Sequence, residues 1–396
     1  MKKSYLLVII FLLTGITKAF TRDIRISLYN PHIITSVLVS CAGGKYTCQD
    51  DSGDKHKFDK GNMLLIIFRN NTLWVRNEDG EWFPADHLHL KANSDDCMLR
   101  IKPVEPLIQG REYFGDLEVR IFADNLQLIN ILDLEQYLMG VVEAEAGPNA
   151  PLGFYKVQSI ICRTYTVKYF NKHISEGYNL CDHVHCQAYK GRHKWNEDVE
   201  IAAEVTNGLV LTSQDSVPIN SVFHSNSGGE TQGSENIWLK SEPYLKPVLD
   251  PFSTGMPNTR WEKSIPVLEW IQYLQKEGFD LTNIDEWGIL NARQVHRQKY
   301  YVVENDSVEF RKIREDWKLK SAFFDIHQAG EHVVLKGKGY GHGVGLSQEG
   351  AVNMARKGYH YTEILNFYYH NIRIMNYLFL ETEGKIVLDT QPLNNN

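Results

Sequence analysis

Residues 173–186 read HISEGYNLCDHVHC. Cys181 and Cys186 enclose His183 and His185, and His173 stands upstream. Two thiolates, an imidazole from the same short loop and one further ligand make the donor set of a tetrahedral zinc site. The expected ligands are His173, Cys181, His185 and Cys186, with His183 as the alternative fourth. Two sulfur ligands suit a closed structural site better than the open position a zinc peptidase or amidase needs. In an oxidising compartment the same cysteines could instead form a Cys181–Cys186 disulfide, leaving the histidines exposed.

A carboxylate stands out at the end of LEQYLMGVVEAEAGPNAP, residues 134–151. Leu134, Tyr137, Leu138, Val141 and Val142 recur at helical spacing, and GPNAP breaks the helix just after Glu145. Glu143 lies two positions back and so on a different face. A second helix should start near Pro151 and run to about Tyr169, since proline suits the first helical position. Lys156 and Arg163 share one stripe of it, seven residues apart. Glu145 would be a natural partner for Lys156 if the helices pack antiparallel; the alternative is two solvated cations and a capping glutamate.

Two further stretches offer polar groups. FHSNSGGETQGSENIW presents His224, Ser225, Asn226 and Ser227 before a glycine turn. A Ser–His nucleophile is conceivable there, but no G-x-S-x-G elbow is present, and a plain polar loop is the alternative. GKGYGHGVGLSQEGA, residues 337–351, has glycine at every second position from 337 to 345. In an extended chain one face would be bare and the other would carry Tyr340 and His342. A bare face admits a flat ring or another backbone. From the residues alone both are open; with the family resemblance given below, the expectation is a groove wall, and close strand packing is the alternative.

These blocks, in this order, resemble the stage II sporulation protein D family (SpoIID/LytB domain) over roughly residues 110–380. LEQYLMGVVEAEAGPNAPLGFYKVQSIICRTY is similar to that family's L-E-x-Y-L-x-G-V-V-x-x-E-M-P and A-L-K-A-Q-x-x-A-A-R-T-Y blocks. FHSNSGGETQGSENIW resembles its H-S-x-S-G-G-x-T block, and GKGYGHGVGLSQEGA its G-x-G-W-G-H-G-V-G-M-S-Q-x-G-A block. The resemblance implies a peptidoglycan lytic transglycosylase, with an amidase enhancer that only binds glycan as the alternative. It places the catalytic glutamate at Glu145, the motif lysine at Lys156 and the motif arginine at Arg163, and the zinc loop of some members at CDHVHCQAY. Substrate contacts are expected from Lys156, Arg163, His224, Ser225, Ser227, Tyr340, His342, Ser347 and Gln348. Implied partners are glycan strands and a cell-wall amidase. Where the family has Met-Pro after the glutamate, this chain has Ala146-Gly147-Pro148. Tyr340 replaces tryptophan, and Glu349 stands where tyrosine is frequent.

The elements that must hold these residues are legible more coarsely. Residues 20 to about 130 contain short β-branched and aromatic runs separated by AGG, NN and EDG turns. Later segments mix helices with strands, so the class expected is α+β, with a β-rich region at 20–109, a catalytic domain at 110–380 and a tail at 381–396. Ser347 can cap QEGAVNMARK, Gly358 can end it, and Thr362 can cap EILNFYYHN. Two lysines before an apolar run ending near Ala19 read as a signal peptide over 1–19, with an uncleaved anchor as alternative. Export to the periplasm or cell envelope follows. Cys41 and Cys48 flank AGGKYT and could bridge; sequence does not fix the pairing. The chain has 396 residues, 43% of them hydrophobic, and a net charge of −7. With no basic run beyond short pairs, nucleic acid is not expected as a partner.

Overall fold

The alternating apolar runs become strands of two antiparallel-type sheets. A computed structural model describes residues 22–388 apart from 51, 52, 54, 194, 195, 239 and 282–285. The leader expected at 1–19 and the end of the tail lie outside the described residues. One sheet has seven strands in the order Leu180–Cys181, Asp23–Ser27, Asn125–Asp133, Asp116–Phe122, His87–Ala92, Lys45–Asp50 and Lys55–Asp59. The other has six, in the order Arg111–Phe114, Met98–Glu105, Ser36–Gly43, Met63–Arg69, Thr72–Arg76 and Trp82–Ala85. Period-two burial drives both: Ile24, Ile26, Val37, Val39, Val119 and Leu128 turn inward and are buried. Cys41 and Cys48 fall on different sheets, and all six cysteines are free thiols, so neither the Cys41–Cys48 nor the Cys181–Cys186 bridge is formed.

The strand Asn125–Asp133 runs straight into a helix, Leu134–Ala146, which we term the acid helix. Leu152–Lys168, the companion helix, packs beside it. Leu134, Tyr137, Leu138 and Val141 meet Phe154, Val157, Ile160 and Ile161 in the same hydrophobic core as the sheets. The short strand Leu180–Cys181 pairs in parallel with Asp23–Ser27, which carries the cysteine-histidine loop to the sheet edge.

Arg163 corrects the sequence reading. Its side chain is wholly buried, and its Nε and Nη2 donate to Glu135 Oε1 and Oε2 at 2.7 and 2.6 Å. Nη1 donates to Leu209 O at 3.1 Å. A residue in this position cannot meet substrate; it fastens the start of the acid helix to the companion helix. Arg163→Ala would leave Glu135 partly buried without its cation. It is expected to cost about 3–5 kcal/mol, read as a lower denaturant midpoint.

Residues 260–338 have a core of their own, which sequence periodicity did not separate. A three-stranded sheet of Arg260–Pro266, His332–Lys338 and Phe324–Ala329 packs with the helices Val267–Lys276 and Phe310–Asp316 around Trp270, Leu274, Ile313 and Ile326. The chain leaves this unit directly into the glycine-rich run. The helix Gln348–Arg356 follows, capped by Ser347, whose Oγ accepts the Gly350 N–H at 3.3 Å. The next helix, Tyr361–Tyr368, starts before Thr362: His360 is at its N-cap, and Glu363 Oε2 accepts the His360 N–H at 2.7 Å. Among the described residues no helix is long and apolar enough to cross a membrane.

Candidate active site

Glu145 sits in the last turn of the acid helix. Asp133 caps the start of that helix by accepting the N–H groups of Glu135 and Gln136. Gly147, at φ 73°, turns the chain out at the other end and donates to Glu143 O at 2.9 Å. Tyr155 Oη donates to Gly147 O at 2.7 Å and accepts the Ala150 N–H at 3.0 Å, which fixes the GPNA turn. The extra residue before Pro148 is absorbed in this turn.

The Glu145 carboxyl is partly buried, and burial pushes it above the ordinary carboxylate range. The Ala188 N–H, donated to Oε1 at 3.0 Å, and the charge of Lys190 pull the other way. Lys190, not Lys156, is therefore the cation felt at Glu145; Lys156 lies partly buried on the companion helix. Gln348 Nε2 donates to Glu145 O at 3.3 Å and approaches Gln158 Oε1 at 3.5 Å. Gln158, fully buried, donates on to Cys162 Sγ at 3.3 Å. Of the residues assigned to substrate from sequence, Gln348 is the one brought against the carboxylate's own backbone.

Beside it, one ligand atom from each of His173, Cys181, His185 and Cys186 falls within 4.8 Å of all the others. Cys186 Sγ lies 3.5 Å from His173 Nε2, and Cys181 Sγ and Cys186 Sγ each lie 3.8 Å from His185 Nδ1. Tetrahedral zinc with bonds of about 2.3 Å to sulfur and 2.0 Å to nitrogen separates its ligands by about 3.5 Å. His173 Nδ1 pairs with Glu176 Oε1 at 2.7 Å, which turns Nε2 to the sulfurs. His183 is exposed and outside the cluster, so His173, not His183, completes the group of four ligand atoms. Immediately after Cys186 the chain is held twice more: Gln187 Oε1 accepts from Thr166 Oγ1 at 2.8 Å, and Ala188 donates to Glu145.

The glycine-rich run is not extended. Gly339, Gly341, Gly343 and Gly345 have φ between 69° and 110°, and their bare faces meet protein. A Cβ on Gly337 would lie 1.9 Å from the Trp261 ring, and one on Gly345 2.2 Å from Val222 O. The glycines serve close packing, not a sugar. His342 is likewise committed: Nδ1 accepts the Val344 N–H at 3.1 Å and Nε2 donates to Phe223 O at 3.0 Å. Burial holds it neutral, its pKa drawn down to about 4. His224 is buried with Nδ1 on Val344 O at 3.2 Å. Ser227 is fully buried and donates to Asp250 Oδ2 at 2.7 Å, and Ser347 is the buried helix cap. These four residues hold loops together and are withdrawn from the substrate contacts. Ser225 is partly buried, with Oγ 3.3 Å from Asn258 Nδ2.

Tyr340 alone of the run stands clear, 44% exposed, because a backbone bridge with Asn226 presents it outward. Sequence reasoning passed over Trp238, 43% exposed, with its ring 5.8 Å from that of His342; its place at the end of the polar block was the available signal. It also missed Gln158, Lys190 and the Ala188 N–H, the last because a backbone donor leaves no mark on residue type. Glu349, the departure from tyrosine, accepts from Asn226 Nδ2 at 2.6 Å and from Asn258 Nδ2 and N at 2.7 and 3.1 Å. It is a loop staple rather than a second free acid.

The SpoIID family model, "Stage II sporulation protein", matches residues 123–213, which span the acid helix, the companion helix and the cysteine-histidine loop. Stage II sporulation protein D of Bacillus amyloliquefaciens is 30% identical over 289 residues, 69% of this chain and 82% of that one. The Bacillus subtilis (strain 168) protein of the same name is 28% identical over 288 residues, 68% of this chain and 83% of that one. The amidase enhancer of the same organism is 26% identical over 292 residues, 61% of this chain but 40% of its own length.

Proposed function

The chain belongs to the stage II sporulation protein D family, and from that premise we propose that it is a peptidoglycan lytic transglycosylase, exported to the cell envelope. The observation that carries the reading is Glu145: a single carboxyl at a helix end, raised by burial, with Oε1 held by the Ala188 N–H and no hydrogen bond on Oε2 among the described residues. Glycosidases that use water need two carboxyl groups. Here no second carboxylate in the three motif blocks has a comparable setting, since Glu349 is saturated. One group suffices when the nucleophile belongs to the substrate. Protonated Glu145 gives its proton to the glycosidic oxygen leaving with GlcNAc, and the bond from that oxygen to C1 of MurNAc breaks. The MurNAc C6 hydroxyl attacks C1 and surrenders its proton to the Glu145 carboxylate. The product is 1,6-anhydro-MurNAc, and the acid is regenerated.

Burial suits the first half of this cycle, and the Ala188 N–H and Lys190 suit the second. Tyr340 and Trp238 offer flat faces for sugar rings. His173, Cys181, His185 and Cys186 would hold a structural zinc; four protein ligands would leave it no open position, and its contribution would be to fix the loop that carries Ala188.

Mass spectrometry of glycan strands digested by the purified chain tests the reading. Anhydromuropeptides are the expected product. Reducing MurNAc ends would make water the nucleophile. Binding without cleavage would favour a glycan-binding role like that suggested by the name of the amidase-enhancer relative.

A further inference from the structure

A cavity of about 430 Å³ opens where the unit of residues 260–338 meets the glycine-rich run, lined by Gly228, Met256, Pro257, Thr259, Arg260 and Lys338 among others. Its charges are unbalanced. Arg260 and Lys338 are directly opposite each other across two antiparallel strands, and like charges so placed are destabilising. The next pair on the same face, Glu262 and Lys336, is of opposite sign. No Asp or Glu lines the cavity. Arg260 is exposed and makes no ion pair among the described residues, and Lys338 Nζ has only Gln294 O at 3.5 Å and the Phe323 ring at 4.6 Å. Two opposed cations over a partly apolar floor, without a counter-ion, describe a seat for a carboxylate, which the planar fork of Arg260 fits with two hydrogen bonds.

The cavity is also tied to Glu145. Asn258, between the lining residues Pro257 and Thr259, is held by Glu349, and the adjacent Gln348 reaches Glu145 O. We infer that this cavity is a carboxylate-binding subsite that grips a glycan strand by the lactyl carboxylate of muramic acid or the carboxylates of its stem peptide. The inference rests on the glycan reading above and extends it from the cut bond to the strand's charged substituents.

The test measures binding in a Glu145→Gln background, so that cleavage does not intervene, with three glycans: peptide-bearing strands, strands stripped of peptide, and a neutral chitooligosaccharide. Adding Arg260→Ala should weaken the carboxylate-bearing glycans about tenfold and leave the chitooligosaccharide unchanged. Loss on the stripped strands alone assigns the lactyl carboxylate, which a peptide-bearing strand ties up as an amide; loss on peptide-bearing strands alone assigns the stem; loss on both shows that the subsite takes either carboxylate. Arg260→Lys, which keeps charge but not the fork, should fall between. Equal affinities for all three glycans in parent and variant, or an equal loss on the chitooligosaccharide, overturns the subsite. A second measurement is independent of the lytic reading: N-acetylmuramic acid should shift the Arg260 Nε–H resonance of the unaltered chain, and N-acetylglucosamine should not. Identical responses to the two sugars also overturn it.

Discussion

Glu145→Gln is expected to fold like the parent chain, bind glycan with unchanged affinity and lose about 10² to 10⁴ in turnover. The amide is nearly isosteric and can still accept the Ala188 N–H at the position of Oε1, so the helix end and its turn should not move. What it lacks is the proton to give. Glu143→Gln is the control: that residue precedes Glu145 by two on the same helix and faces elsewhere, so it should retain most activity. The pH profile gives a second readout. Burial raises the Glu145 pKa, and the first step needs the protonated form, so the parent's kcat/KM should fall as pH rises through that raised value. If the glutamine variant keeps its turnover, Glu145 is not the acid and the single-carboxyl mechanism fails. If it loses glycan binding along with turnover, its role is to hold substrate.

Legibility in the sequence followed the range of the forces. Periodicity found the acid helix because five apolar residues on one face are a local signal, and the Ser347 cap was legible because serine at a helix start is a local signal too. The clustering of His173, Cys181, His185 and Cys186 was readable because soft ligands are rare residue types in a short span. The failures lie where distant partners decide. Arg163 matches a motif position, yet its role is set by Glu135, 28 residues away. The glycines allow two readings from sequence, a bare face for a sugar or room for protein. Trp261, His224, Arg297 and Val222 settle the matter by filling that space, and none of them is within the run. His342 looked like a groove residue because polar side chains usually seek water; here both ring nitrogens are consumed by the backbone of Phe223 and Val344. The separate core of residues 260–338 escaped because nothing in local composition marks where one core stops and another starts.

Removing the metal should reach Glu145 without touching it. Purified without chelator, the chain is expected to hold about one zinc; stripped of it, the chain should lose thermal stability and turnover together. Anything that binds only the folded state stabilises it by mass action, about 4 kcal/mol at a thousandfold excess over Kd, so a midpoint shift of several degrees follows. The fold itself should survive, because the strands and helices around the loop share a large core in which Cys181 and Cys186 are two members among many. The local effect is sharper. Cys186 would be a ligand, Gln187 is clamped to Thr166, and Ala188 donates to Glu145 Oε1, three consecutive residues with one task each. Freeing Cys181 and Cys186 loosens the first of these anchors and lets the Ala188 N–H wander from the carboxylate. Its amide exchange should therefore quicken on chelation, and kcat should fall more than glycan affinity. Ala188→Pro separates the two roles: with all four ligands intact it should still bind one zinc, yet show the kcat loss of the stripped protein. A chain that contains no zinc, or one whose stability and Ala188 exchange ignore the chelator, would refute the metal centre. A proline variant with full turnover would keep the metal but sever its link to Glu145.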